Sequence, residues 1–263
     1  MGFDLFQKYW LNNAGIHSTV ALIYHSISAK GSSLGWRGVV SLPRFRTQLD
    51  LLNTEGRQTV CICDLTLNNR LPESNIVITF YDGYVDNLTF CKELAKRGMH
   101  ATCFIVSGSI GREPAWHTDE YPDVRLFNAA KLHNMQSTNM KVGSHATNHV
   151  HLTEANDIRL HADLTHSKTT LKYVLGIEIS SFAYPCGAWN GRYAKTVREV
   201  DYRSASAPRT DWALFDGNPH QLHRLTVFNT VTNNSLVRKL HFGNNVFPGM
   251  PSHATPCNVK LPA

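Results

Sequence analysis

Three short stretches carry side chains able to do chemistry together: "TFYDGY" (79–84), "SHATNH" (144–149) and "FAYPCG" (182–187). Asp82 closes an apolar run and precedes a glycine, which puts a carboxylate at a strand end. His145 and His149 are separated by three residues, so one helical turn or a tight loop aims both imidazoles at a single point. Joined by Asp82 from a neighbouring strand end, they form a two-imidazole, one-carboxylate set that suits a divalent metal with open positions. Such an ion lowers the pKa of a bound water to about 7 and polarises a carbonyl oxygen, the combination needed to hydrolyse an amide or ester. In a chain with 14 histidines, an isolated His-x-x-x-His pair is a weak signal by itself. Its weight comes from the elements that deliver it.

Those elements alternate. Short apolar runs at 19–24, 76–80, 101–106, 141–145, 180–185 and 225–229 read as strands. Between them "LPRFRTQLDLLNTEG", "NLTFCKELAKRG", "DVRLFNAAKLHNM" and "TEANDIRLHADLTHSKTTLKYVLG" place apolar residues at helical spacing, several closed by a glycine that can serve as C-cap. Pro43 fits an early helical position after Ser41, and Thr153 is the expected cap of the helix that has Asn156 and Asp157 in its first turn. Alternating strands and helices imply an α/β fold with a parallel sheet, open or closed into a barrel, and such folds gather functional groups at the C-terminal ends of the strands.

A chain of 263 residues, 42% hydrophobic and 17% charged, suits one domain over 1–263, with its core at about 19–245. Residues 1–18 read as an amphipathic N-terminal helix that packs on the body or touches a membrane as a peripheral contact, and 248–263 as a flexible tail. No stretch reaches the roughly 20 apolar residues of a membrane span. The N-terminus lacks the marks of a signal peptide, so a cytoplasmic protein with six free thiols is expected. The net charge of +6 suits an anionic partner such as a phosphorylated sugar, a carrier lipid or a membrane surface. Residues 190–240 hold eight Lys/Arg, Arg224 among them, against four acids, which reads as a solvated basic face. Without interleaved aromatic residues, no nucleic-acid partner is expected. There is no P-loop, no dinucleotide fingerprint and no nucleophile elbow.

With "TFYDGY", "HATNH" and "FAYPCG" in this order, the chain resembles the polysaccharide deacetylase family (NodB homology, carbohydrate esterase family four) in its YPxG form. "LIYHSIS" (22–28), "SLPRFRTQLDLL" (41–52) and "LHRLTV" (222–227) extend the resemblance over most of 20–228. The resemblance implies a distorted (β/α) barrel of about seven parallel strands and a divalent metal, zinc by preference. It also implies removal of an acetyl group from an N-acetylated sugar, here soluble, phosphorylated or carrier-linked. Carried over by motif, Asp82, His145 and His149 are the metal ligands, Tyr184 and Gly187 shape the acetyl pocket, and the Cys186 backbone N–H helps hold the oxyanion.

The departures from the family motifs bear on catalysis. Tyr81 stands at the position of the family's general-base aspartate. A phenol, with an ordinary pKa near 10, is a poor base at neutral pH, and losing a positioned base typically costs about 10²–10⁴ in rate. Ala146 replaces a Ser/Thr and Cys186 a tyrosine, and no arginine stands at Ala183. Asp86 reads as a structural partner, while His25, His151 and His223 are candidates for the general acid, His223 a weak substitute for the family's acid histidine. Three readings follow: a metal-dependent sugar N-deacetylase, a relative that binds metal or sugar without turnover, and a hydrolase of a non-sugar amide.

Overall fold

A computed structural model of the chain describes residues 19–28, 38–66, 74–116, 125–138, 140–208 and 219–242. The expected N-terminal helix and C-terminal tail lie outside the described residues.

Ten strands are present among the described residues. Eight form one sheet: β1 (Val20–Tyr24), β4 (Gln58–Val60), β5 (Asn75–Phe80), β6 (Thr102–Ile105), β7 (Lys141–Ser144), β8 (Ser181–Ala183), β9 (Ser204–Pro208) and β10 (Leu222–Thr226). The short β2 (Ser26–Ser28) and β3 (Val39–Ser41) pair separately. All pairings between these strands are parallel. β1 bonds to β10 on one side and to β5 along its whole length on the other, Val20 opposite Ile76 through Tyr24 opposite Phe80. That double pairing bends the sheet into a nearly closed barrel of seven parallel strands, in the order β1, β5, β6, β7, β8, β9, β10. β4 lies against the first half of β5, and β6 takes over that edge from Thr79 onward.

Parallel neighbours need crossover connections, and amphipathic helices supply most of them. They are α1 (Leu42–Thr54), α2 (Asn87–Ala95), α3 (Ala129–Gln136), α4 (Asp157–Leu175), α5 (Gly191–Glu199) and α6 (Asn233–Phe242). Period-two alternation sorts the strand residues into two clusters. Leu22, Tyr24, Ile76, Ile78 and Phe80 face outward onto Phe45 and Leu49 of α1 and Phe90 and Leu94 of α2. Ala21, Ile23, Val77, Phe104, Ala183 and Leu222 fill the barrel with Tyr81.

Several expectations need correction. The last strand runs over Leu222–Thr226, a few residues earlier than 225–229. β4 and β9 were not anticipated: three residues carry almost no periodicity, and "SASAP" has no large apolar side chain to signal a strand. Thr153 lies in a 3₁₀ turn, and the cap of α4 is Asn156, whose side chain accepts from the Arg159 N–H. Ser41 and Pro43 do open α1. Cys61, Cys63, Cys91 and Cys103 are free thiols, but Cys186 is disulfide-bonded, its partner lying outside the described residues. Arg224, counted above with a solvated face, is only 1% exposed and sits inside the barrel.

Glu93 of α2 clasps two helices, meeting Arg46 of α1 at 3.0 Å, Lys96 at 3.1 Å and Arg97 at 3.0 Å. The Arg46 hydrogen bond, helped by the other two, holds its carboxyl down at about 2. A depressed carboxyl stabilises the fold above its unfolded pKa and loses that contribution as pH falls toward the folded value. Because the cations stay partly wet, Glu93→Gln is expected to cost about 1 kcal/mol at pH 7. In denaturant titrations the gap from the parent should shrink as pH falls from about 4.5.

Candidate metal centre at the barrel rim

Parallel strands deliver their ends to one rim. From β5 the chain passes Tyr81, whose N–H donates to the Tyr24 carbonyl at 3.0 Å, into a turn in which Asp82 has φ 69° and Gly83 φ 85°. The left-handed region is uncommon for a residue with a side chain, though aspartate tolerates it better than most. Gly83 is required twice over, since a Cβ there would also lie 2.8 Å from Ile105 Cδ1. The turn points the Asp82 carboxylate into the molecule, where the residue is 4% exposed.

β7 leads directly into His145, whose N–H donates to the Ile105 carbonyl at 2.8 Å. The loop that carries His149 is pinned from two sides. Ser107 and Gly108 donate their N–H groups to the carbonyls of Ala146 (3.1 Å) and Thr147 (2.9 Å). From α4, Asp163 accepts from the Thr147 N–H and, through its carbonyl, from the Thr147 hydroxyl, both at 2.8 Å. Ala146 takes a left-handed φ of 64° to make the bend.

The result is a compact donor set. Asp82 Oδ1 lies 3.5 Å from His145 Nε2 and 3.5 Å from His149 Nε2. One ligand atom from each of the three buried residues falls within 4.8 Å of the others. His145 Nδ1 lies 2.8 Å from the Ala183 carbonyl, which can only accept, so Nδ1 carries the proton and Nε2 presents its lone pair to the centre. Burial, with His149 beside it, pushes the His145 pKa down to about 3, so the ring is a neutral ligand at ordinary pH. Asp82 Oδ1 and His145 Nε2 are buried with no hydrogen-bond partner. Two orphaned acceptors facing one point are what a cation would satisfy, and the donor types fit a zinc-like ion.

Around this set the other candidates separate. Tyr81 lies against it, its ring stacked on His145 at 4.6 Å and 16°. The opposite contact is the Arg224 guanidinium, 4.5 Å from the same ring. Arg224 donates to the Ser206 carbonyl at 3.1 Å and reaches Thr79 Oγ1 at 3.4 Å, and among the described residues no carboxylate pairs with it. Desolvation drives its pKa well below the usual guanidinium range. The Tyr81 hydroxyl is buried without a hydrogen-bond partner. His25 meets the Tyr81 ring edge-on at 5.3 Å.

Tyr184 packs between Phe182 and Tyr193, and its hydroxyl donates to the His220 carbonyl at 2.9 Å, so the phenol is engaged in the core between barrel and helices. Cys186 takes φ 56° in the turn after it, with Gly187 at φ 70°. Asp86 accepts from the Ser26 hydroxyl and from the N–H groups of Ile27 and Asn87, and burial pushes its pKa up to about 7, the behaviour of a structural partner. His151 opens the 3₁₀ turn after the metal-site loop. The His223 side chain lies outside the described residues. Sequence reasoning missed the Ala183 carbonyl, Arg224 and the aromatic pair Tyr84 and Trp116. A backbone acceptor leaves no sequence signal, although an arginine inside a strand otherwise built for burial could have marked Arg224.

The chain is a member of the polysaccharide deacetylase family, whose profile matches residues 68–205. It is 26% identical over 223 residues to YxkH of Bacillus subtilis (strain 168), a protein named provisionally as a polysaccharide deacetylase; the match covers 83% of this chain and 74% of YxkH. Among solved structures, the Streptococcus pyogenes deacetylase PplD in complex with acetate superposes with a TM-score of 0.72 at 19% identity, covering 85% of this chain and 98% of that one. IcaB from Ammonifex degensii gives 0.70 at 20% identity over 85% and 97%. These likenesses confirm the expected barrel. Deacetylases of this family are metal-dependent hydrolases acting on acetylated carbohydrates.

His149→Ala should abolish one-to-one zinc binding in calorimetry while leaving the far-ultraviolet circular dichroism unchanged. Gly108→Ala tests the loop: its new Cβ would sit 2.6 Å from the Thr147 carbonyl oxygen, so the loop must shift. We expect zinc affinity to fall by about 10-fold or more, as displaced metal surroundings generally produce.

Proposed function

We propose that this protein is a zinc-dependent deacetylase acting on an N-acetylated saccharide. The observation that carries the reading is the pair of orphaned acceptors, Asp82 Oδ1 and His145 Nε2, aimed with His149 at one point on the barrel rim. A divalent ion held there supplies Lewis-acid polarisation of the acetyl carbonyl and acidifies water. The chain's own residues prepare that chemistry. The Ala183 carbonyl fixes the tautomer of His145, Asp163 and Ser107 hold the His149 loop, and Tyr81 walls the site from the barrel interior. The Cys186 N–H, in its left-handed turn, remains the proposed oxyanion donor. The net charge of +6 suits a phosphorylated or carrier-linked saccharide. The disulfide at Cys186 weighs toward an oxidising compartment over the cytoplasm expected from the sequence.

A second reading, a metal- or sugar-binding relative without turnover, is favoured by one observation. The phenol at position 81 is wedged between Arg224 and His145 with its hydroxyl unbonded, so nothing at that position accepts a proton. A carboxylate at 81 would lie beside the Arg224 guanidinium and next to the ligand set.

Acetate release from N-acetylhexosamine oligosaccharides, with zinc or cobalt added, separates the readings when the protein is run beside Tyr81→Asp. We expect slow, metal-dependent release by the protein itself and an increase of about 10²–10⁴ in the variant. Activity in the variant alone selects the second reading. Silence from both overturns deacetylation and turns attention to non-sugar amides.

A further inference from the structure

Two aromatic residues not yet given a role touch two of the three ligands. Tyr84, two residues after Asp82, is fully buried, and its hydroxyl is hydrogen-bonded to the Asp82 side chain. Since Oδ1 has no hydrogen-bond partner, the hydroxyl is left the other carboxylate oxygen. Trp116 donates its indole N–H to the Tyr84 hydroxyl oxygen at 3.1 Å. The indole also lies over the His149 imidazole, ring centroids 4.7 Å apart and planes inclined at 35°. The backbone supports the arrangement: Tyr84 bridges Leu126 antiparallel, and the Val85 N–H donates to the Arg125 carbonyl at 2.9 Å. This ties the end of the Asp82 turn to residues 125–126.

The directionality of these bonds matters. A phenol hydroxyl has one proton to give. With the indole N–H committed as donor to its oxygen, that proton is directed to Asp82, and the carboxylate is held in one rotation. The rotation that satisfies Tyr84 is the one that leaves Oδ1 facing both Nε2 atoms. A carboxylate without this partner could turn and spread its charge over several orientations, and its affinity for a cation would fall accordingly.

We propose that Trp116 and Tyr84 form a positioning relay, indole N–H to phenol to carboxylate, that aims Asp82 Oδ1 at the metal point while the indole braces His149. The inference rests on the metal reading above. It makes Trp116 an internal reporter of that site, because its ring contacts a ligand directly.

The test is zinc calorimetry, with tryptophan fluorescence, on the parent and on Tyr84→Phe, Trp116→Phe, the double variant and His149→Ala. Tyr84→Phe keeps the ring and removes only the hydroxyl, and is expected to weaken zinc binding about 10–100-fold. Trp116→Phe keeps a ring on His149, should weaken binding less, and should erase the zinc-induced change in fluorescence despite the four other tryptophans. In the double variant the losses should not add, as expected for residues acting through one chain. Thermal unfolding with and without zinc separates this from general destabilisation: the relay predicts that Tyr84→Phe reduces the zinc-induced rise in Tm more than it lowers the metal-free Tm. Zinc affinity within twofold of the parent for Tyr84→Phe, additive losses, or equal lowering of both Tm values overturns the relay while leaving the metal centre standing. Zinc binding that is absent from the parent, or unaffected by His149→Ala, overturns the metal reading and the relay with it.

Discussion

Asp82 Oδ1 and His145 Nε2 face each other in a buried site with no hydrogen bond between or beyond them. Leaving a buried polar atom unsatisfied costs roughly 1–3 kcal/mol, so a fold that keeps two at one point has a use for the arrangement. Much of the surrounding structure maintains it. Asp82 and Ala146 take left-handed backbone that their side chains disfavour, the Ala183 carbonyl commits the far side of the imidazole, and Asp163 reaches from α4 to fix the loop between the histidines. The parallel pairing of β5, β6, β7 and β8 brings their C-terminal ends onto one rim, where these contacts meet.

Tyr81 joins this centre to the barrel interior. Its ring is the middle layer of a stack, with Arg224 below and His145 above. An aromatic face attracts a guanidinium, and the effect grows when both are removed from water. That attraction, with hydrogen bonds to Ser206 and Thr79, is what keeps a buried cation tolerable where no carboxylate among the described residues answers it. Tyr81 therefore lies against the ligand cluster, and Asp82, His145 and His149 still meet at one point.

What could be read from the sequence follows from which interactions leave a side-chain trace. The alternation of apolar runs and helical spacing announced a parallel α/β fold, and Asp82, His145 and His149 announced themselves by residue type and spacing. β9 did not, because "SASAP" lies against Arg224 and neighbouring strands with small polar side chains and carries no apolar run. Thr153 and Asn156 are both able caps three residues apart, and only the conformation of the preceding 3₁₀ turn decides for Asn156. Arg224 was counted among surface charges since composition cannot distinguish a guanidinium that faces water from one that faces a tyrosine. Cys186 looked like a small space-filling thiol, and nothing local to "YPCG" signals that it is disulfide-bonded.

The central claim is that Asp82, His145 and His149 bind one metal ion through one oxygen and two imidazoles, with Tyr81 outside the ligand set. Zinc K-edge X-ray absorption on the protein loaded with one equivalent of zinc tests this directly. The account predicts a first shell of nitrogen and oxygen at about 2.0–2.1 Å, with the outer-shell scattering of two imidazoles. A sulfur shell near 2.3 Å, or outer-shell scattering from fewer than two imidazoles, would contradict it.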